Sequence, residues 1–108
     1  MTQEIYIYEN VALAQANSDR PYGDGFNYRV ELGVDLSSHD MEWVRKIFRS
    51  VLEIIDHKNL KLDMDRPLPA PTSGLCEGLA RELMTRGLTG LRELRMCRGD
   101  GFTVSYRS

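Results

Sequence analysis

The chain lacks several features that would assign it to a common class of protein. It has only two cysteines in 108 residues, Cys76 and Cys97, too few for a disulfide framework or a paired-cysteine zinc motif. Its net charge is −2, so composition gives no reason to expect a nucleic acid or an anionic membrane as partner. No apolar run is long enough to span a bilayer, and the N-terminus has no secretory pattern. We therefore expect a single domain, residues 1–108, in the cytoplasm.

Alternating side chains predict two strands in the first third of the chain. Residues 4–9 are rich in Ile and Tyr, which favour a strand, and residues 11–16 are a weaker continuation of it. Residues 17–25 have the Asn, Ser, Asp, Pro and Gly content of a loop or hairpin connection. Residues 26–36 alternate regularly, which indicates a strand with one buried face. That face comprises Phe26, Tyr28, Val30, Leu32, Val34 and Leu36.

A helix is predicted over residues 41–55. Apolar side chains recur there at helical spacing, at Met41, Val44, Phe48, Val51 and Ile55. Ser37 followed by Asp40 resembles a capping box ahead of this helix. Residues 56–70, which include two prolines, form a long connection after it.

The remainder of the chain predicts a second helix and a hairpin. The helix is expected over residues 75–85, with Gly87 as its stop. Residues 91–98 and 102–107 are expected to be strands, joined by a glycine-containing turn. The order β-β-α-α-β-β predicts an α+β domain, a four-stranded antiparallel sheet with both helices on one face.

Several short segments carry a more specific signal. FNYRVEL at residues 26–32 resembles a strand written HNYRVEV in one known family, and DHKNL at residues 56–60 is similar to that family's segment after the first helix, without a mismatch. EGLA at residues 77–80 is similar to the start of its second helix, and residues 95–98 and 104–106 match its last hairpin. Together these segments resemble the 6-pyruvoyl-tetrahydropterin synthase and 6-carboxytetrahydropterin synthase family.

The resemblance implies the tunnelling fold and an oligomer. In that family, three or more subunits join their sheets into a barrel, commonly as a hexamer of two trimers. Closure of the sheet also has a physical reason here, because a small four-stranded sheet has two edges to protect. We therefore expect a homo-oligomer, a trimer or hexamer, with pockets at its subunit interfaces and a small-molecule partner.

The zinc ligands of that family are missing from this chain. The resemblance implies one histidine on the first strand and a His-Gly-His before the second, but the latter position holds Asp24, Gly25 and Phe26. The whole chain has only His39 and His57, so one subunit cannot supply a three-histidine site. No metal and no other cofactor is therefore expected.

A weak metal site remains an alternative, in which Asp24 with Glu9 or Gln15 binds an oxygen-preferring ion. The cysteine that the family places before its His-Gly-His is also absent from residues 18–22. Cys76 and Cys97 are expected to be small half-buried residues. Cys76 has a second interpretation, because a thiolate at the start of a helix would be stabilised by the helix dipole.

Arg98 stands where the resemblance places the glutamate that anchors the pterin ring, when residues 91–106 are aligned without gaps. An arginine cannot accept the hydrogen bonds of that ring, but it can bind a carboxylate or phosphate with two parallel donors. The pocket should therefore prefer an anionic group. The alternative is that Arg98 is a solvated residue beside the turn.

Asp56 and His57 are the candidate catalytic residues. The resemblance implies a role in proton transfer, and a carboxylate can orient a histidine that titrates near neutral pH. The alternative is that Asp56 ends the helix and His57 only packs. Glu77 matches the family's helix-start glutamate, although Gly74 could occupy that position instead.

These residues favour a metal-independent enzyme related to 6-pyruvoyl-tetrahydropterin synthase, of the lyase or cyclase type. It would use His57 and Asp56 for proton transfer on a small anionic or heterocyclic metabolite. The expected substrate-binding residues are Arg98, Glu77, Phe26 and Asp24. A non-catalytic ligand-binding or scaffold homologue is the alternative, and pterin synthase activity itself is disfavoured.

Overall fold

The computed structural model describes residues 4–15, 24–35, 39–60 and 71–108, with the backbone alone at Gln15 and Asp24. Most of the predicted first loop, Ser37 of the predicted capping box and the prolines of the long connection lie outside the described residues. No helix in the described part of the chain is long and apolar enough to cross a membrane.

The first two strands form a long antiparallel hairpin. Strand β1 spans Glu4–Gln15 and strand β2 spans Asp24–Asp35, and Glu4 lies opposite Asp35 at one end of the register. The predicted alternation of β2 is confirmed, since Tyr28, Val30, Leu32 and Val34 are all buried. The buried side chains of β1, which include Ile7, Val11 and Leu13, lie on the same face of the sheet.

Both predicted helices are present; α1 begins at the predicted residue but ends three residues early, and α2 begins earlier than expected. Helix α1 spans Met41–Leu52, and Asp40 is its N-cap without a side-chain cap hydrogen bond, so the expected capping box is not formed by Asp40. Helix α2 spans Ser73–Thr85 and begins two residues earlier than predicted. The Thr72 hydroxyl accepts a hydrogen bond from the Leu75 amide, which fixes that start.

The C-terminal hairpin is confirmed. Strand β4 spans Leu91–Arg98 and strand β5 spans Thr103–Arg107. In the turn between them, the Arg98 amide donates to the Phe102 carbonyl at 2.8 Å and the Gly101 amide donates to the Arg98 carbonyl at 3.0 Å. Gly101 has a φ of +102°, a conformation that favours glycine.

Within the part of the chain that the structure describes, the sheet has one more strand than expected. Strand β3, Lys58–Asn59, pairs parallel with β1, so the sheet is mixed and five-stranded in the order β3-β1-β2-β4-β5. The His57 amide donates to the Ala12 carbonyl and the Leu60 amide donates to the Ala14 carbonyl, which hold β3 against β1. The prediction of four antiparallel strands missed β3 because two residues are too few to show alternation.

One hydrophobic core lies between the two helices and one face of the sheet. It includes Phe48 of α1, Leu83 of α2 and Leu94 of β4, each fully buried. Glu9 of β1 lies on this side and accepts hydrogen bonds from Arg45 and Arg49 of α1, both at 2.9 Å. Neither helix of the described residues lies on the opposite face of the sheet, which we call the helix-free face.

The start of α1 is joined to the segment that precedes β4. The imidazole of His39 stacks on Trp43 with ring centroids 5.0 Å apart. Its Nε2 atom accepts a hydrogen bond from the Thr89 amide at 3.0 Å and lies 2.8 Å from the Thr89 hydroxyl. These contacts tie the first turn of α1 to the connection between α2 and β4.

Candidate functional site

Small residues on neighbouring strands leave a cleft beside β3. Ala14 lies opposite Gly25 and Ala12 lies opposite Asn27, so this end of the helix-free face has few large side chains. The cleft has a volume of about 350 Å³, and His57 and Asn59 line it with these residues. Its wall is therefore largely apolar with a few polar groups, which is the usual character of a small-molecule site.

His57 lies in this cleft with a strained backbone. Its φ is +60°, the one positive φ of a non-glycine residue in the described part of the chain. Its Nδ1 atom lies 3.2 Å from Oδ1 of Asp56, and its side chain is 81% exposed. When Nδ1–H donates to Asp56, Nε2 carries the lone pair and can accept a proton from a ligand.

Asp56 is held from its other side by β1. Its Oδ1 atom accepts a hydrogen bond from the Ala12 amide at 2.9 Å. The carboxylate therefore both fixes the position of the segment against β1 and orients the imidazole. The structure brings Asp56, His57 and the cleft together, while their proposed catalytic role stays a prediction.

Arg98 lies at the same end of the sheet but is already paired. Its Nε and Nη2 atoms donate to the two carboxylate oxygens of Asp100 at 2.6 and 2.7 Å. Its guanidinium carbon lies 4.7 Å from the ring centroid of Phe26 and 4.5 Å from that of Phe102. It also forms a side-chain hydrogen bond with Tyr28. The bond to Arg98 holds the pKa of the Asp100 carboxyl below its usual value.

Phe26 connects the two regions, since it both borders the cleft of His57 and stacks on Arg98. A second cavity, of about 450 Å³, borders Arg98 and shares Asn27 with the first. Three strand spacings separate β3 from β4, so the backbones of His57 and Arg98 are about 14 Å apart. Within one chain, a small ligand at His57 therefore does not reach the Arg98 backbone, although both sites lie at one end of the sheet.

Glu77 does not join the cleft within one chain. It lies on α2 and forms an ion pair with Arg81, one turn later, at 2.9 Å. Helix α2 packs against β4 and β5, on the face opposite the cleft. Asp24 lies opposite Gln15 in the backbone register, and their side chains are outside the described residues.

The described residues do not form the metal site that the resemblance implies. They contain no group of three His, Cys, Asp or Glu side chains able to hold an ion. Phe26, at a ligand position of the family, lies over the Arg98 guanidinium, and a second cation there would be repelled. Glu9 cannot share an ion with Asp24, because six residues of strand, about 20 Å, separate it from the pairing partner of Asp24.

The two cysteines lie away from the cleft of His57. Cys76 is fully buried with its Sγ atom 3.8 Å from the Val104 carbonyl, and burial raises the pKa of its thiol to about 11. Burial and the raised pKa therefore oppose the second interpretation of Cys76, a thiolate stabilised at a helix start. Cys97 is half-buried on β4.

Three residues of this region, Asp100, Phe102 and Asn27, were not predicted from the sequence. The Gly-Asp-Gly turn was a signal for Asp100, since it places a carboxylate two residues after Arg98 in a tight connection. No sequence signal showed that Phe102 covers the guanidinium, because that depends on where the turn directs its ring.

Comparison with known proteins gives a likeness in fold. No family model matches the chain, and no curated protein matches its sequence. Among solved structures, it is similar to the 6-pyruvoyl tetrahydropterin synthase of Caenorhabditis elegans, with a TM-score of 0.79 and 13% sequence identity. The match covers 100% of this chain and 96% of that one. At this identity the likeness shows a shared fold and nothing about shared chemistry.

Proposed function

We propose that the chain is a metal-independent enzyme of the lyase or cyclase type on a tetrahydropterin synthase-like fold. His57, oriented by Asp56, moves a proton on a small anionic or heterocyclic metabolite bound in the adjacent cleft. The observation that supports this most is the Nδ1 to Oδ1 distance of 3.2 Å at a histidine that is 81% exposed beside that cleft. An oriented, accessible imidazole is the usual arrangement of a general base.

The backbone of His57 supports the same proposal. A left-handed conformation is unfavourable for a residue with a Cβ and persists where the surroundings enforce it, often at functional sites. Here the enforcing contacts are the two hydrogen bonds between the segment and Ala12. They hold the imidazole at the cleft although glycine would be the easier residue for this position.

The proposed enzyme is a homo-oligomer with shared sites. Among the described strands, β3 and β5 are the two edges of the sheet. If copies join edge to edge, β4 of one copy lies about two strand spacings, or about 10 Å, from β3 of the next. That is shorter than the separation of about 14 Å within one chain. Arg98 of one copy could then contact the same ligand as His57 of its neighbour.

A non-catalytic, ligand-binding or scaffold role is the second candidate, and two contacts favour it. Asp56 accepts a hydrogen bond from the Ala12 amide, which is a structural role, and Asp100 satisfies two donors of Arg98. Pterin synthase activity is disfavoured, since two histidines cannot form the three-histidine site of that family within a subunit.

Hydrogen–deuterium exchange at carbon tests the proposal without knowledge of the product. Small carboxylic acids and heterocycles with an acidic C–H are incubated in D₂O with the protein, and loss of the C–H signal is followed by NMR. We expect at least one compound to exchange faster with protein, and His57→Ala to slow that exchange by about 10²–10⁴-fold. Asp56→Asn should cause a smaller loss.

His39 provides a matched control, since it is the only other histidine and its contacts are with Trp43 and Thr89. His39→Gln should keep the exchange activity. Equal exchange by wild type and His57→Ala, or no exchange above buffer for any compound, would contradict the proposal and favour the non-catalytic role.

A further inference from the structure

Arg98 has the features of a prepared anion site rather than of a solvated surface residue. Only 17% of its side chain is exposed, which is low for an arginine beside a turn. Two phenyl rings lie against the guanidinium, and one of them, Phe102, is itself 65% exposed. The large apolar ring of Phe102 is therefore exposed to water although it lies against the Arg98 guanidinium.

Stability alone does not account for this arrangement. Ion pairs with an exposed partner contribute little to folding, and the Asp100 side chain is 55% exposed. The two ring centroids lie 4.7 and 4.5 Å from the guanidinium carbon, and the Nε and Nη2 edge donates to a carboxylate. A planar fork of two donors is suited to a carboxylate in the same plane.

We propose that the Asp100 carboxylate occupies a carboxylate-binding site formed by Arg98, Phe26 and Phe102, and that a ligand carboxylate displaces it. Asp100 lies in an exposed turn between Gly99 and Gly101, so it can leave the guanidinium without disturbing the core. While Asp100 is paired with Arg98, the site is closed. The apparent affinity of the ligand is therefore its intrinsic affinity multiplied by the fraction of time that the site is open.

The proposed carboxylate site deepens the proposed function. It rests on that function in one respect, since its ligand is the anionic metabolite. It adds the class of the anion, a planar carboxylate, and a self-blocking contact within the chain. Binding at Arg98 does not require proton transfer at His57, so the two ideas can be tested separately.

Binding of benzoate to the full-length chain, followed by NMR titration, tests the inference. Asp100→Asn removes the competing charge and keeps the size of the side chain, so benzoate should bind about threefold to tenfold more tightly than to wild type. Asp40→Asn is the matched control, because Asp40 is an exposed aspartate whose side chain makes no cap hydrogen bond. It changes the net charge equally and should leave binding unchanged.

Two variants of Arg98 test the donor side in the Asp100→Asn background. Arg98→Lys keeps the charge without the fork, and Arg98→Met keeps an apolar chain between the rings, so both should lose most of the benzoate affinity. Benzamide, the neutral counterpart of benzoate, should bind weakly to every variant. Thermal unfolding of each variant shows whether it is folded.

Four results would overturn the inference: no measurable benzoate binding, equal affinity in Asp100→Asn and Asp40→Asn, full affinity after loss of Arg98, or benzamide binding as tightly as benzoate. Benzoate binding that persists in His57→Ala, together with no carbon exchange in wild type, would instead refute only the proposed catalysis. Loss of benzoate binding with carbon exchange intact would refute only the carboxylate site.

Discussion

Replacement of His57 by glycine should stabilise the protein relative to replacement by alanine. The φ of +60° at this position costs a residue with a Cβ about 1–2 kcal/mol. Glycine avoids that cost but loses about 0.5–1 kcal/mol more conformational entropy on folding. Both variants lose the contact with Asp56, which therefore cancels in the comparison. The net advantage of glycine over alanine is about 1 kcal/mol.

Thermal unfolding by circular dichroism measures this difference. For a domain of about this size, 1 kcal/mol corresponds to a shift in Tm of about 4 °C or slightly more. Both variants are compared at one protein concentration, because self-association would make Tm depend on concentration. The His57→Gly variant should be the more stable one and should still lack the carbon exchange activity.

The same pair of substitutions at Lys46 is the control. Lys46 is exposed in the middle of α1, where the backbone is helical, so alanine should be favoured there by about 1 kcal/mol. The sign of the difference should therefore reverse between the two positions. An alanine at position 57 that is as stable as glycine would refute the argument that the backbone of His57 is strained.

Two further predictions concern groups whose pKa is shifted by the fold. Burial raises the pKa of the Cys76 thiol to about 11, so at pH 8 only about one molecule in a thousand carries its thiolate. Iodoacetamide should therefore modify Cys97 alone in the native protein, as detected by mass spectrometry. Rapid modification of Cys76 would contradict its burial. Burial opposes ionisation of Glu31, but hydrogen bonds from Arg95 and Arg29 hold its pKa below the usual 4.5. Its contribution to stability is therefore complete above pH 4.5 and is lost as the pH falls through the lowered value, so the difference in unfolding free energy between wild type and Glu31→Gln should shrink in acid. A difference that stays constant with pH would contradict this.

Residues 26–36 and 41–55 show why much of the fold could be predicted. Their patterns repeat over ten or more residues, so each identifies both the element and its buried side. The pairing of β3 depends instead on two backbone hydrogen bonds to β1, which leave no trace in the side-chain pattern. The start of α2 was missed because Thr72 follows a proline in a segment with the composition of a loop.

The candidate site, like the fold, could be predicted from the sequence only in part. Asp56 and His57 are adjacent in sequence, so a short motif was sufficient to select them. Their position beside Ala12 depends on a contact between residues 44 apart in the chain. The partner of Arg98 was missed although it lies two residues away, because the direction of a side chain in a turn depends on backbone angles that composition does not reveal.

Trp43, on which His39 stacks, has a practical consequence for experiments on this chain. Trp43 is the only tryptophan in the chain, and it lies on α1, packs against the core and does not line the cleft of His57. Its fluorescence therefore comes from a single site that neither the cleft nor the Arg98 region includes. Substitutions and small ligands at those regions can be studied with an intrinsic optical signal that follows folding of the helical layer without an added dye.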